Sequence, residues 1–140
     1  AAMLHDTGTH ISYSKHHKHS YYLIKNTELP GFNDDEIEII ANIARYHRRS
    51  MPKKSHDNFT SLPENTQQKV KKLAAILRIA DGLDRTHSQI VKDISVKQED
   101  DKLIFSLEID KGTNVDMEKT GFNKKKDLLE RVLQLHVELI

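Results

Sequence analysis

The sequence predicts a mainly α protein in two parts: a helical domain over residues 1–90 and a small ββαβ (α+β) domain over residues 91–140. The main observation is a change of period. Up to about residue 90 apolar residues recur at intervals of three and four, and beyond it they alternate with polar ones. Length agrees, because 140 residues suit one domain, or a domain with a small appendage.

The elements follow in order. Ala1-Ala2-Met3-Leu4 is apolar and has no capping residue, so it reads as the tail of a helix cut through its middle and the chain as a piece of something longer. That tail ends near His5-Asp6, with Gly8 as a candidate C-cap. A helix from about Lys15 to Asn26 places His17, Tyr21 and Ile24 on one face. Leu29-Pro30-Gly31 breaks the chain. Asn33-Asp34-Asp35-Glu36 has the form of a capping box, and the helix it starts buries Ile37, Ile40, Ala41 and Ala44 and ends near His47. Residues 50–60 read as a polar loop. Ser61-Leu62-Pro63-Glu64 starts a long helix carrying Val70, Leu73, Ala74, Leu77 and Ala80. Ile94 and Val96, then Leu103, Phe105, Leu107 and Ile109, alternate across a turn at Glu99-Asp100-Asp101-Lys102, which predicts a hairpin over 90–110. A helix over about 122–134 and a strand over 135–140 complete the second part.

Composition excludes several classes. A formal charge of +1 is far from that of a general nucleic-acid binder. The absence of cysteine removes disulfides and zinc-thiolate sites and fits a reducing cytoplasm. No apolar run is long enough to cross a membrane. Nine histidines, seven of them before residue 57, are the unusual quantity, and their clustering points to a site.

The pair His5-Asp6 joins two side-chain types that hold hydrolytic divalent metals. Neighbours on a regular helix diverge by about 100°, so such a pair serves one ion best at a helix end or bend. Asp81 interrupts the apolar stretch Leu77-Arg78-Ile79-Ala80 and needs a partner, either a salt bridge to Arg78 or Arg85 or a metal ion. Lys15-His16-His17-Lys18-His19 is either a solvated face or an anion site at a helix start. Arg45, Arg48 and Arg49 either terminate a helix or extend that anion site. His56, His87 and His136 show no partner in the sequence. No P-loop, GxSxG, GxGxxG or zincin motif is present.

Several blocks together carry a resemblance. Ala1-Ala2-Met3-Leu4-His5-Asp6-Thr7-Gly8, Ile11-Ser12-Tyr13, His16-His17-Lys18-His19-Ser20-Tyr21-Tyr22-Leu23-Ile24, Leu29-Pro30-Gly31-Phe32, Ala44-Arg45-Tyr46-His47-Arg48 and Leu77-Arg78-Ile79-Ala80-Asp81-Gly82-Leu83-Asp84-Arg85 resemble, in that order, the C-terminal part of the exopolyphosphatase / guanosine pentaphosphate phosphohydrolase family. The resemblance implies an HD-type helical domain over 1–90, truncated at its N-terminus, whose divalent metal (Mn, Fe or Zn) would be held by His5, Asp6, His47 and Asp81; His5, Asp6 and Asp81 match the pattern directly, and His47 and His19 match its optional histidines more loosely. The first histidine of that pattern would precede Ala1.

The resemblance also implies that hydrolysis, with Mg²⁺, belongs to actin-like N-terminal domains that are not in this sequence, so this piece alone would be inactive. It would bind inorganic polyphosphate or guanosine pentaphosphate through Lys18, His19, Arg45, Arg48 and Arg49, and would contribute contacts to a cytoplasmic homodimer. A stand-alone HD-type metal-dependent nucleotide phosphohydrolase is the alternative expectation. A third is a dimerisation or regulatory module using the exposed hairpin edge.

Overall fold

In the computed structural model, which describes residues 1–140, the chain forms two units, Ala1–Leu77 and Arg78–Ile140. The divide falls inside the long helix α4 (Glu64–Leu83), whereas the change of period in the sequence falls near residue 90.

The first unit opens with two 3₁₀ turns, Ala2–Leu4 and Thr7–His10, where the sequence suggested the tail of an α-helix. Hydroxyl groups take the carbonyls that a longer helix would use: Thr7 Oγ1 donates to Leu4 O at 2.8 Å and Ser20 Oγ to His5 O at 2.6 Å. Gly8 lies within the second turn and is not a helix cap. Its reason is proximity, since a Cβ there would come within 2.1 Å of His16 O and 2.4 Å of Ser20 N.

Helix α1 (His16–Lys25) packs on α2 (Asp34–Arg45). Ile24, Ala41 and Ala44 are their buried contact, with Leu4, Tyr21, Leu29, Ile37 and Ile40 packed around them. The two alanines allow close approach of the helices. The capping box forms as expected: Glu36 N donates to Asn33 Oδ1 at 3.0 Å and Asn33 N to Glu36 Oε2 at 2.9 Å. The polar loop after α2 contains a short helix, α3 (Asp57–Thr60), whose Phe59 is buried edge-on to Tyr46.

Along α4 the buried side chains are Val70, Ala74, Ala75, Leu77, Arg78, Ile79 and Leu83. This stripe is rotated from the expected one, so Leu73 and Ala80 face outward.

The second unit carries a three-stranded sheet in the order β1 (Val91–Glu99), β2 (Lys102–Ile109), β3 (His136–Leu139). Strands β1 and β2 form the expected antiparallel hairpin, from Glu99 opposite Lys102 to Val91 opposite Ile109, with an irregularity between Val91 and Asp93. Strand β3 lies parallel to β2, from Lys102 opposite His136 to Phe105 opposite Leu139, so the connection must cross over, and helices supply the crossover. Two helices stand there, α5 (Asp116–Lys125) and α6 (Asp127–Leu133), where the sequence predicted one starting later. Asp127, the first residue of α6, puts an acidic side chain in its first turn, and its Oδ1 accepts from Leu128 N at 2.8 Å. Phe105 and Phe122 meet edge to face at 5.3 Å between centroids, and with Leu128, Leu129 and Val137 they form the core. No helix of the chain is long and apolar enough to cross a membrane.

Candidate metal and anion site

The His5-Asp6 pair sits between the two 3₁₀ turns, the kind of bend at which neighbouring side chains can converge. Ser20 of α1 holds this segment in place, donating to His5 O and accepting from Gly8 N at 2.9 Å. Histidine 16 is the first residue of α1, and His47 follows the end of α2. Three separate pieces of backbone therefore deliver their side chains to one place.

Asp6 is the centre of the group. Its Oδ1 lies 3.0 Å from His16 Nε2 and 3.4 Å from His47 Nε2, and its Oδ2 lies 3.4 Å from His5 Nε2. The Nε2 atoms of His16 and His47 are 3.3 Å apart. The rings pack together, His16 stacked on His47 at 5.3 Å and His5 edge-on to His47 at 4.8 Å. The side chains of His16 and His47 are 4% and 1% exposed while that of Asp6 is 38% exposed, so the group opens to solvent on the carboxylate side.

The outer ring nitrogens repeat one pattern. His5 Nδ1 lies 2.6 Å from Ala2 O, His16 Nδ1 3.1 Å from Tyr13 O and His47 Nδ1 2.6 Å from Ala44 O. A carbonyl only accepts, so each Nδ1 carries a proton and each Nε2 is the ring atom turned toward Asp6. This is how proteins orient imidazoles that hold a metal. His5 Nε2 is buried without a hydrogen bond. His5, Asp6 and His47 each offer a donor atom, all within 4.8 Å of one another. By donor type and orientation the residues fit a divalent metal ion.

Basic groups stand beside this cluster. Arg48 Nη1 is 3.3 Å from both ring nitrogens of His16, which puts the guanidinium against the face of the ring, and it also lies over Tyr13 at 5.7 Å. Arg45 lies over the rings of Tyr21 and Tyr46, at 5.7 and 5.8 Å. Lys18 and Arg49 are exposed and His19 is half-buried.

His17 is buried with its Nδ1 unpaired. Burial first, and then the charges of Arg48, His16, Arg45 and Lys18, push its pKa down to about 4. The same happens to His56, lowered by burial and then by Arg45, Lys53 and Lys18. Two histidines on different segments thus sense one positive field.

The sequence reading placed His5, Asp6, His47 and Asp81 in the site, and the structure brings the first three together. It adds His16, which the sequence offered only as part of a cationic run. The local signal was Gly8, whose lack of a side chain lets the His5-Asp6 segment press onto the first turn of α1. Asp81 belongs to the second unit, where its carboxylate is paired with Lys125 of α5, a partner no local spacing indicates. His56 does have a partner, Tyr46 Oη at 2.9 Å from its Nδ1. His136 lies 3.3 Å from Glu130 and 3.5 Å from Glu138.

Comparison with known proteins agrees with these blocks. The family model for Ppx/GppA phosphatase, domain III, matches residues 1–136. A guanosine-5'-triphosphate,3'-diphosphate pyrophosphatase of Pseudoalteromonas translucida is 36% identical over 110 residues, covering 78% of this chain and 21% of the relative. The protein of the same name in Vibrio vulnificus is 31% identical over 111 residues, covering 76% of this chain and 21% of the relative. In Photobacterium profundum the figures are 36% over 76 residues, 54% and 14%. The chain spans about a fifth of the length of the first two relatives. With the family match running through nearly every residue, the chain belongs to the Ppx/GppA phosphatase family, in the region of its domain III.

Proposed function

We propose that this chain is the C-terminal part of a cytoplasmic, exopolyphosphatase-like phosphohydrolase and that its first unit, an HD-type helical domain, binds the polyanionic substrate. Inorganic polyphosphate and guanosine pentaphosphate are the substrate class. Lys18, His19, Arg45, Arg48 and Arg49 form the binding surface, and Mg²⁺ serves hydrolysis in the actin-like domains of the parent, which acts as a homodimer. The observation that carries the reading is Arg48 on the face of His16: a fixed cation beside a cluster suited to a metal ion favours an anion with several oxygens, such as phosphate. The depressed His17 agrees, since it senses Arg48, Arg45 and Lys18 together.

The test is a titration of labelled polyphosphate with the intact chain at increasing salt. Binding at low salt with steep loss as salt rises is expected, because several charge contacts are screened together. Arg48→Ala should weaken binding several-fold. Absence of binding at low salt by the folded chain would contradict the proposal.

A second reading, an HD-type metal-dependent nucleotide phosphohydrolase, is favoured by the convergence of His5 and His47 on Asp6. A divalent ion held there supplies Lewis-acid polarisation of a phosphoryl oxygen. Arg48 would orient the phosphate, and the carbonyl contacts at Ala2 and Ala44 would keep the imidazoles aimed.

A further inference from the structure

We propose that strand β1 is an interface between two copies of this chain, pairing antiparallel with itself about Ser95. The inference rests on the homodimer reading above and deepens it, by naming the surface and its register.

Strand β1 is the outer edge of the sheet, and every residue from Lys92 to Glu99 is exposed. The turn Asp100-Asp101 joins Glu99 to Lys102, so those two residues exchange the ladder bonds that close the hairpin. Alternation then turns the backbone N–H and C=O groups of Gln98, Val96 and Ile94 away from β2, toward the free edge. Ile94 bears this out: its N–H donates to Asp93 Oδ1 at 2.8 Å and not to a strand. The side chains divide by face. Ile94 and Val96, 37% and 51% exposed, stand opposite Leu107 and Phe105 and continue the apolar face on which Phe122 packs. Asp93, Ser95 and Lys97 lie on the other face. An uncovered apolar strip beside a row of free backbone groups recruits another strand.

The order of charges selects a second copy as that strand. A twofold axis at Ser95 sets Asp93 opposite the partner's Lys97 and Ile94 opposite the partner's Val96, each pair occurring twice. Both are favourable cross-strand pairs. Hydrogen bonding agrees, because Ile94 and Val96 both carry their free N–H and C=O groups on this edge. An axis at Val96 would instead set Asp93 opposite the partner's Glu99 twice, and one at Ile94 would leave Asp93 and Lys97 opposite Ser95 and Val91. Lysines on an edge usually guard it by repelling a copy, but here Lys97 meets an acid. The irregularity between Val91 and Asp93 bounds the paired stretch.

Sedimentation equilibrium of the intact chain tests this. The wild type should dimerise in the micromolar range. Lys97→Asp and Asp93→Lys should each weaken the dimer by about tenfold or more, since each sets like charges opposite one another twice. The double variant Asp93→Lys/Lys97→Asp should restore it, because the pairs are reversed but kept. Both side chains are exposed, so these variants should fold. A wild type that stays monomeric at millimolar concentration overturns this interface and the homodimer reading together. A dimer that neither single variant weakens, or that the double variant fails to restore, overturns the β1 interface and leaves the homodimer reading standing. Amide hydrogen exchange on the wild type gives a second readout. Protection of Ile94 and Val96 should rise with concentration while that of Ser95, whose N–H already bonds within the hairpin, stays constant. Unchanged protection at Ile94 and Val96 in the dimer would refute the proposal.

Discussion

The two units differ in one polar cluster. In the second, each buried or half-buried charge has an opposite or hydrogen-bonding partner: Asp81 with Lys125, Arg78 with Asp127 at 3.3 Å, and Glu118 accepting from Thr86 N at 3.2 Å and Thr86 Oγ1 at 2.7 Å. In the first unit, His5, His16 and His47 turn their Nε2 atoms toward Asp6, whose side chain is 38% exposed. A closed pair satisfies itself and contributes to the fold, whereas several nitrogen donors around one carboxylate that opens to solvent can take up a metal ion. The contrast separates a polar cluster that serves structure from one that serves a ligand.

The largest expected effect comes from removing the centre of the first unit's cluster. Asp6→Ala should lower transition-metal affinity by about a hundredfold or more, on the order of 2.7 kcal/mol, measured by competition with a chelator. The melting temperature of the metal-free chain should change little, since the Asp6 side chain is 38% exposed and removing it opens no core. A large drop in metal-free stability would mean that the cluster is structural after all.

The reverse should hold in the second unit. Asp81→Ala leaves the Lys125 ammonium, only 17% exposed, without this partner, and should destabilise the chain by about 1–3 kcal/mol in urea unfolding. Metal affinity should not change.

The smallest effect is a drift with pH. Tyr21 donates to Glu38 Oε1 at 2.7 Å, and burial followed by that hydrogen bond pushes its pKa from 10.0 up to about 12. The unfolded chain then loses this proton first, so the folded state binds more protons between these values. The contribution is fully present below pH 10 and is lost as pH rises toward 12. Tyr21→Phe should flatten that part of the stability profile.

Much of the fold was legible because it depends on local rules. The capping box at Asn33, the hairpin turn at Asp100-Asp101 and the final strand all follow from neighbours in the chain. The rest depended on distant contacts. The N-terminal segment forms 3₁₀ turns because Ser20 and Gly8 bind it to α1, and no periodicity in residues 1–10 encodes that. Part of the site was legible too, because His-Asp adjacency and the Arg-Tyr-His-Arg block are visible in the sequence. What was not legible was which histidine of Lys15-His16-His17-Lys18-His19 turns inward. That choice is fixed by the start of α1 at His16 and by Arg48, 32 residues away, covering its ring.

The most direct test of the central claim is a crystal of the intact chain soaked in Mn²⁺ and examined for anomalous scattering. A single strong peak bonded to Asp6 and to the Nε2 atoms of His5 and His47 is the predicted result. A map with no peak among these three side chains at saturating Mn²⁺ would contradict it.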